Sequence, residues 1–117
     1  MKIMNFRDLE VWKLGKEIVL GIYRMTALFP KDEVYGLVAQ MRRASVSIPS
    51  NVAEGFNRFH NKEYRQLLFV ALGSCAELET QVEISCDLGY LDLKGRDLMI
   101  EKLDHETRML RNLIKKL

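Results

Sequence analysis

Arg42, Arg58, Lys62 and Arg65 are the side chains of this sequence best placed to do chemistry with a partner. Phe56, Phe59, His60 and Tyr64 interleave with the last three, and Arg43 adjoins the first. Cations neutralise phosphates, and flat rings stack on unpaired bases. A cluster of this composition suits contact with RNA or a ribonucleoprotein. The same residues also fit a plainer reading, with Phe56 and Tyr64 in the core and the charges solvated.

Other chemistries lack their residues. His60 and His105 stand alone, and Asn57 and Lys102 occupy the places three before them, so the Glu-x-x-His pair of di-iron bundles is missing. The glycines are scattered and form no phosphate loop. Cys75 and Cys86 would lie ~16 Å apart on one helix, too far to bridge. They read as buried, reduced core thiols, and Cys75 has no basic neighbour in sequence to activate it. Ser45, Ser47 and Ser50 surround Pro49 and suit backbone groups that a proline leaves free. No catalytic residue, cofactor or metal is expected.

The elements that would position these groups are helices. The stretch QMRRASVSIPSNVAEGFNR, Gln40 to Arg58, reads as a helix kinked mildly at Pro49. At ~100° per residue, Leu37, Met41, Ile48 and Val52 form a core stripe, with Val34, Ala44 and Gly55 beside it. Ala39, Val46 and Ala53 repeat at seven-residue spacing on the opposite side, along with Arg43, Ser50 and Glu54. Small residues there favour a second interface, so Ala39, Arg43, Val46, Ser50, Ala53 and Glu54 are candidate subunit contacts. Arg43 and Glu54 would stand ~16 Å apart along a straight helix. Each therefore needs its own partner from another helix or subunit if that side is covered.

A first helix is expected from Phe6 to Phe29, capped by Asn5, with Pro30 ending it or opening the next. The second would run from Lys31 or Asp32 to Asn57, and the third from Lys62 to Leu88. LLFVALGSCA within the third is apolar nearly all round, which implies burial on more than one side. Beyond it come Glu77, Glu79, Glu83 and Asp87, with no Lys or Arg until Lys94. The fourth helix, Leu93 to Lys116, is capped by Asp92 and carries Met99, Leu103, Leu110, Leu113 and Leu117 as its stripe. Short links make neighbours antiparallel. The expected fold is all-α: an antiparallel up-down-up-down four-helix bundle, one domain over residues 1–117.

Composition agrees with a globular chain: 48% hydrophobic and 29% charged, with a formal net charge of +2 over 117 residues. That charge is too small to argue nucleic-acid binding alone. MKIMNFRDLE turns charged before an apolar run develops, and no stretch approaches the ~20 apolar residues of a membrane span. A cytoplasmic protein without a membrane partner is expected.

Three segments carry a family resemblance: FRDLEVW (Phe6 to Trp12), FPKDEVYGLVAQMRRASVSIPSNVAEGFNR (Phe29 to Arg58) and ALGSCAELETQ (Ala71 to Gln81). Together they resemble the four-helix-bundle family of 23S ribosomal RNA intervening-sequence proteins. The resemblance implies a small bacterial cytoplasmic protein with no established catalytic residues. It also implies kinship with the accessory protein of diversity-generating retroelements, a basic pentameric barrel that binds nucleic acid and a reverse transcriptase. This chain departs from that branch in its near-neutral charge. Two functions follow: a non-catalytic RNA- or ribonucleoprotein-associated module using Arg42, Arg58, Lys62 and Arg65, or a protein-protein scaffold ring without direct nucleic-acid binding. Both imply a homo-oligomer, and the resemblance implies five subunits.

Overall fold

The computed structural model describes residues 3–117. Four helices carry them: α1 (Glu10–Thr26), α2 (Leu37–Phe56), α3 (Asn61–Asp87) and α4 (Leu93–Lys116). No strand occurs among the described residues. Packing runs α1 on α2, α2 on α3, α3 on α4 and α4 on α1. The α4–α1 seam is the sparsest of the four, and α1 and α3 stand diagonally across the core, their backbones not adjacent. This is the antiparallel up-down-up-down four-helix bundle. Its long axis of 44 Å is set by α3, whose 27 residues span about 40 Å at 1.5 Å each.

One core runs the length of the bundle. Ile18 and Ile22 of α1 meet Met41, Ile48 and Val52 of α2, Leu68, Leu78 and Val82 of α3, and Leu103 and Leu110 of α4, all at 0% exposure. Each such side chain contributes roughly 1.5–3 kcal/mol by leaving water.

Helix ends depart from expectation where side chains far along the chain decide them. Asn5 does cap, but it caps a separate 3-10 turn, Phe6–Asp8, by accepting from the Arg7 N–H at 2.9 Å. The chain is extended at Leu9 before α1 begins. That break folds Phe6 back edge-on to Trp12, with ring centroids 5.4 Å apart. At its other end α1 stops at Thr26, and Phe29 turns inward against Tyr90 at 5.4 Å. Pro30 disfavours helical backbone in the residue before it.

The second helix begins at Leu37, not at Lys31 or Asp32. Lys31–Glu33 is a 3-10 turn, and Val34, expected beside the core stripe, is 47% exposed. Glu33 sets the start. Its carboxylate accepts from the Leu37 N–H at 3.2 Å and from the Tyr90 O–H at 2.9 Å. A Cβ on Gly36 would lie 2.9 Å from that carboxylate, so glycine leaves room for the cap. At the start of α4, Asp92 accepts from the Gly95 N–H at 2.7 Å, as its position predicts.

Candidate functional site

The four candidate basic residues do not converge. Arg42 and Arg58 both belong to the α2 rod and its end, separated by about 24 Å of helix rise. Arg42 lies across the α1–α2 seam. Its Nε donates to Thr26 Oγ1 at 3.0 Å, and its guanidinium stacks 4.5 Å from the Tyr23 ring centroid. It is thereby occupied within the bundle. Arg58 donates to Glu54 at 2.6 Å, and Arg65 donates to the backbone carbonyl of Leu117 at 3.5 Å. Lys62 is exposed and makes no ion pair among the described residues.

The aromatic rings around them divide. Tyr64 is buried, with half-buried Phe56 edge-on to it at 6.2 Å. Phe59 stands 91% exposed in the α2–α3 turn, edge-on to His60 at 4.9 Å. The plain reading therefore holds for Phe56 and Tyr64, and Phe59, which it did not place, is exposed.

The candidate interface side of α2 is open in the single chain. Ala39, Arg43, Val46, Ser50 and Glu54 are exposed, and Ala53 is half-buried. Within the chain Glu54 pairs with Arg58, four residues on. Arg43 makes no hydrogen bond or ion pair among the described residues. Beside this side lies an apolar groove of about 320 Å³ between α1 and α2, walled by Trp12, Val19, Val46, Pro49 and Ala53, with Lys16 and Ser50 at its edge. Lys16 sits 5.5 Å from the Trp12 ring centroid.

The serines near Pro49 act differently from expectation. Ser45 Oγ donates to the Arg42 carbonyl at 2.8 Å, not to a group freed by the proline. Ser74 Oγ donates to Ser47 Oγ at 2.9 Å, which joins α3 to α2.

The outer side of α3 is also uncovered, despite its apolar sequence. Phe69 and Val70 are 53% and 50% exposed. Between them and Ala76 lies Gly73, where an added Cβ would meet nothing within 4 Å. A mid-helix glycine costs about 1 kcal/mol relative to alanine, and no packing inside this bundle requires it.

Residues 7–112 match the family described as 23S rRNA-intervening sequence protein. The chain belongs to that family. As a member of the 23S rRNA-intervening sequence protein family it also has a solved structural neighbour from Bacteroides thetaiotaomicron. That neighbour is described as a protein with unknown function from the S23 ribosomal protein family. The two superpose with a TM-score of 0.83 at 19% identity, over 90% of this chain and 95% of the neighbour. This likeness establishes the shared fold. No curated protein matches the chain.

The family description names no catalytic activity, and no group of three or more His, Cys, Asp or Glu gathers for a metal among the described residues. Cys75 is buried and Cys86 half-buried, both free thiols. Burial, then the nearby Glu106 carboxyl, push the Cys75 thiol up to about 12, so it stays protonated and inert.

Sequence reasoning missed Glu106. It is 0% exposed, and neither carboxyl oxygen has a hydrogen-bond partner among the described residues. It lies in the core against α1 and α2, where a Cβ on Gly15 would meet Oε2 at 2.9 Å and Pro49 Cβ at 3.4 Å. Burial raises its pKa to about 8, so the group is largely neutral at pH 7. The sequence did hold a trace of it: Glu106 falls three after Leu103 and four before Leu110, inside the apolar stripe.

Proposed function

We propose that this member of the 23S rRNA-intervening sequence protein family is a non-catalytic cytoplasmic protein that works by assembly, as a homo-oligomeric scaffold. One observation carries the reading: α2 and α3 each leave an apolar side uncovered in the single chain, at the Val46–Ala53 groove and at Phe69 and Val70. A four-helix bundle has no fifth helix to cover them, and an identical subunit can. The resemblance to pentameric relatives suggests a ring of five. Light scattering after gel filtration tests the reading. An assembled mass well above the 13.6 kDa of one chain is expected, and a mass equal to it overturns the proposal.

RNA association is the second reading, favoured by Phe59 at the α2–α3 turn beside Arg58 and Lys62. Phe59 is an exposed ring open to stacking on a base, and Lys62 makes no ion pair among the described residues and can meet a phosphate. Arg42 is withdrawn from this role by Thr26 and Tyr23. Weak binding is expected, falling with salt at a slope of roughly −0.7 to −0.9 per neutralised phosphate. A gel-shift titration against structured and single-stranded RNA checks it, with Phe59→Ala and Lys62→Glu as variants. No shift at low salt, or binding indifferent to both changes, removes this reading.

A further inference from the structure

A cavity of about 450 Å³ opens at the end of the bundle where α1 turns into α2. Ala27, Phe29, Val34, Val38 and Ala39 give it apolar walls, and Tyr35 borders it. Two cations line it, Lys31 and Arg42, and no carboxylate does. Asp32 and Glu33 follow Lys31 in sequence without lining the cavity, and Glu33 is engaged by the Leu37 N–H and the Tyr90 O–H.

The cationic wall is held in place from below. Thr26 is buried and gives its hydroxyl proton to the Ile22 carbonyl at 2.7 Å, so its oxygen is left to accept from Arg42 Nε at 3.0 Å. Arg42 Nη2 reaches the Tyr23 carbonyl at 3.4 Å, and the guanidinium stacks on the Tyr23 ring. These contacts take one edge of the guanidinium. Nη1 has no hydrogen-bond partner among the described residues. Lys31 makes no ion pair among them. The apolar walls are fixed as well, since Phe29 is buried against Tyr90 and Val38 belongs to the core. A site whose groups are already held loses little freedom when a ligand binds.

We propose that this cavity binds a small organic carboxylate with an apolar body. Arg42 Nη1 and the Lys31 ammonium take the two carboxylate oxygens, and Phe29, Val38 and Ala39 take the body. The size fits, because pockets for small organic ligands run to ~300–1,000 Å³. Charge and walls together select the occupant. An uncharged molecule gains nothing from the two cations, and a cationic one is opposed by them. A bare inorganic anion leaves the apolar walls in water. The contacts that withdraw Arg42 from a nucleic-acid surface are the ones that hold it at this wall. Neither the site nor its test depends on the assembly reading.

Isothermal titration calorimetry with naphthoate tests this, with naphthalenemethanol as the uncharged twin and inorganic phosphate as the bare anion. One naphthoate per chain is expected, with a dissociation constant on the order of 0.1–1 mM. The alcohol and the phosphate are each expected to bind at least about tenfold more weakly. Lys31→Glu reverses a cation at an exposed position and is expected to weaken naphthoate by about tenfold or more. Ala39→Trp fills the cavity from an exposed position and is expected to abolish binding. Far-UV circular dichroism confirms that each variant is folded. Should Ala39→Trp fail to fold, Tyr35→Ala, at a side chain 97% exposed, removes a wall instead and is expected to weaken binding by about threefold or more. No binding of naphthoate up to about 5 mM, an alcohol or a phosphate that binds as tightly, or binding that ignores Lys31→Glu or the cavity variant overturns the proposal.

Discussion

At position 106 a carboxyl group sits where the spacing of α4 calls for a leucine. Removed from water and without a hydrogen-bond partner among the described residues, it holds its proton up to about pH 8, whereas in the unfolded chain it ionises near 4.5. The unfolded state therefore binds fewer protons over that window, and stability falls as pH rises from about 4.5 to 8, levelling off above. The loss is on the order of a few kcal/mol. Chemical denaturation at pH 5 and pH 8.5 is expected to show it, and Glu106→Gln is expected to flatten the difference. Gly15→Ala would press a methyl against Oε2 and is expected to destabilise by about 1–3 kcal/mol in the same assay. The free thiols give a separate check: a disulfide reagent at pH 8 is expected to modify Cys86 in the folded protein and Cys75 only after unfolding. Both cysteines looked alike in sequence. Burial separates them, and burial depends on which side of α3 each residue takes, a choice that a helix apolar nearly all round conceals.

At the scale of the elements, legibility follows the distance of the deciding contact. Asp92 caps α4 from the adjacent position and could be read directly. The start of α2 could not, because Glu33 caps it across a turn while also holding Tyr90 on the far side of the sequence. Glu33→Ala is expected to lower the melting temperature and to fray the first turn of α2, measurable by hydrogen exchange at Leu37. The core stripe of α2 was legible from Met41 to Val52, all of it buried. Its other side was legible only as a pattern of small residues. Arg43 illustrates the limit: it is exposed and makes no ion pair among the described residues, so Arg43→Ala is expected to change the stability of an isolated subunit by no more than about 0.5 kcal/mol. Gly73→Ala is expected to stabilise the isolated subunit by up to about 1 kcal/mol, since the space around it is empty.

For the whole molecule, the bundle was readable because short links and four amphipathic helices permit few other arrangements. No helix among the described residues is long and apolar enough to cross a membrane. The candidate basic site was less readable. Arg42 and Arg65 carry the right charge, and each is engaged by a neighbour that linear spacing does not reveal: Thr26 and Tyr23, and the Leu117 carbonyl; Arg58 is held by Glu54 four residues before it, a pair that helical spacing does offer.

The sparse seam between α4 and α1 has a kinetic consequence. Every other helix contact joins neighbours in sequence, and such local contacts form quickly. Seating α4 on α1 closes the longest loop in the chain and carries Glu106 into the core as it does so. Above about pH 5 the unfolded carboxyl is ionised and must capture a proton before or during that closure. Refolding in a stopped-flow instrument is therefore expected to slow by up to tenfold per pH unit between about pH 5 and 8, provided α4 is seated at the barrier. A folding rate indifferent to pH, with unfolding that accelerates instead, would place the seating of α4 after the barrier. In that case three helices would commit to the fold while the fourth is still in water.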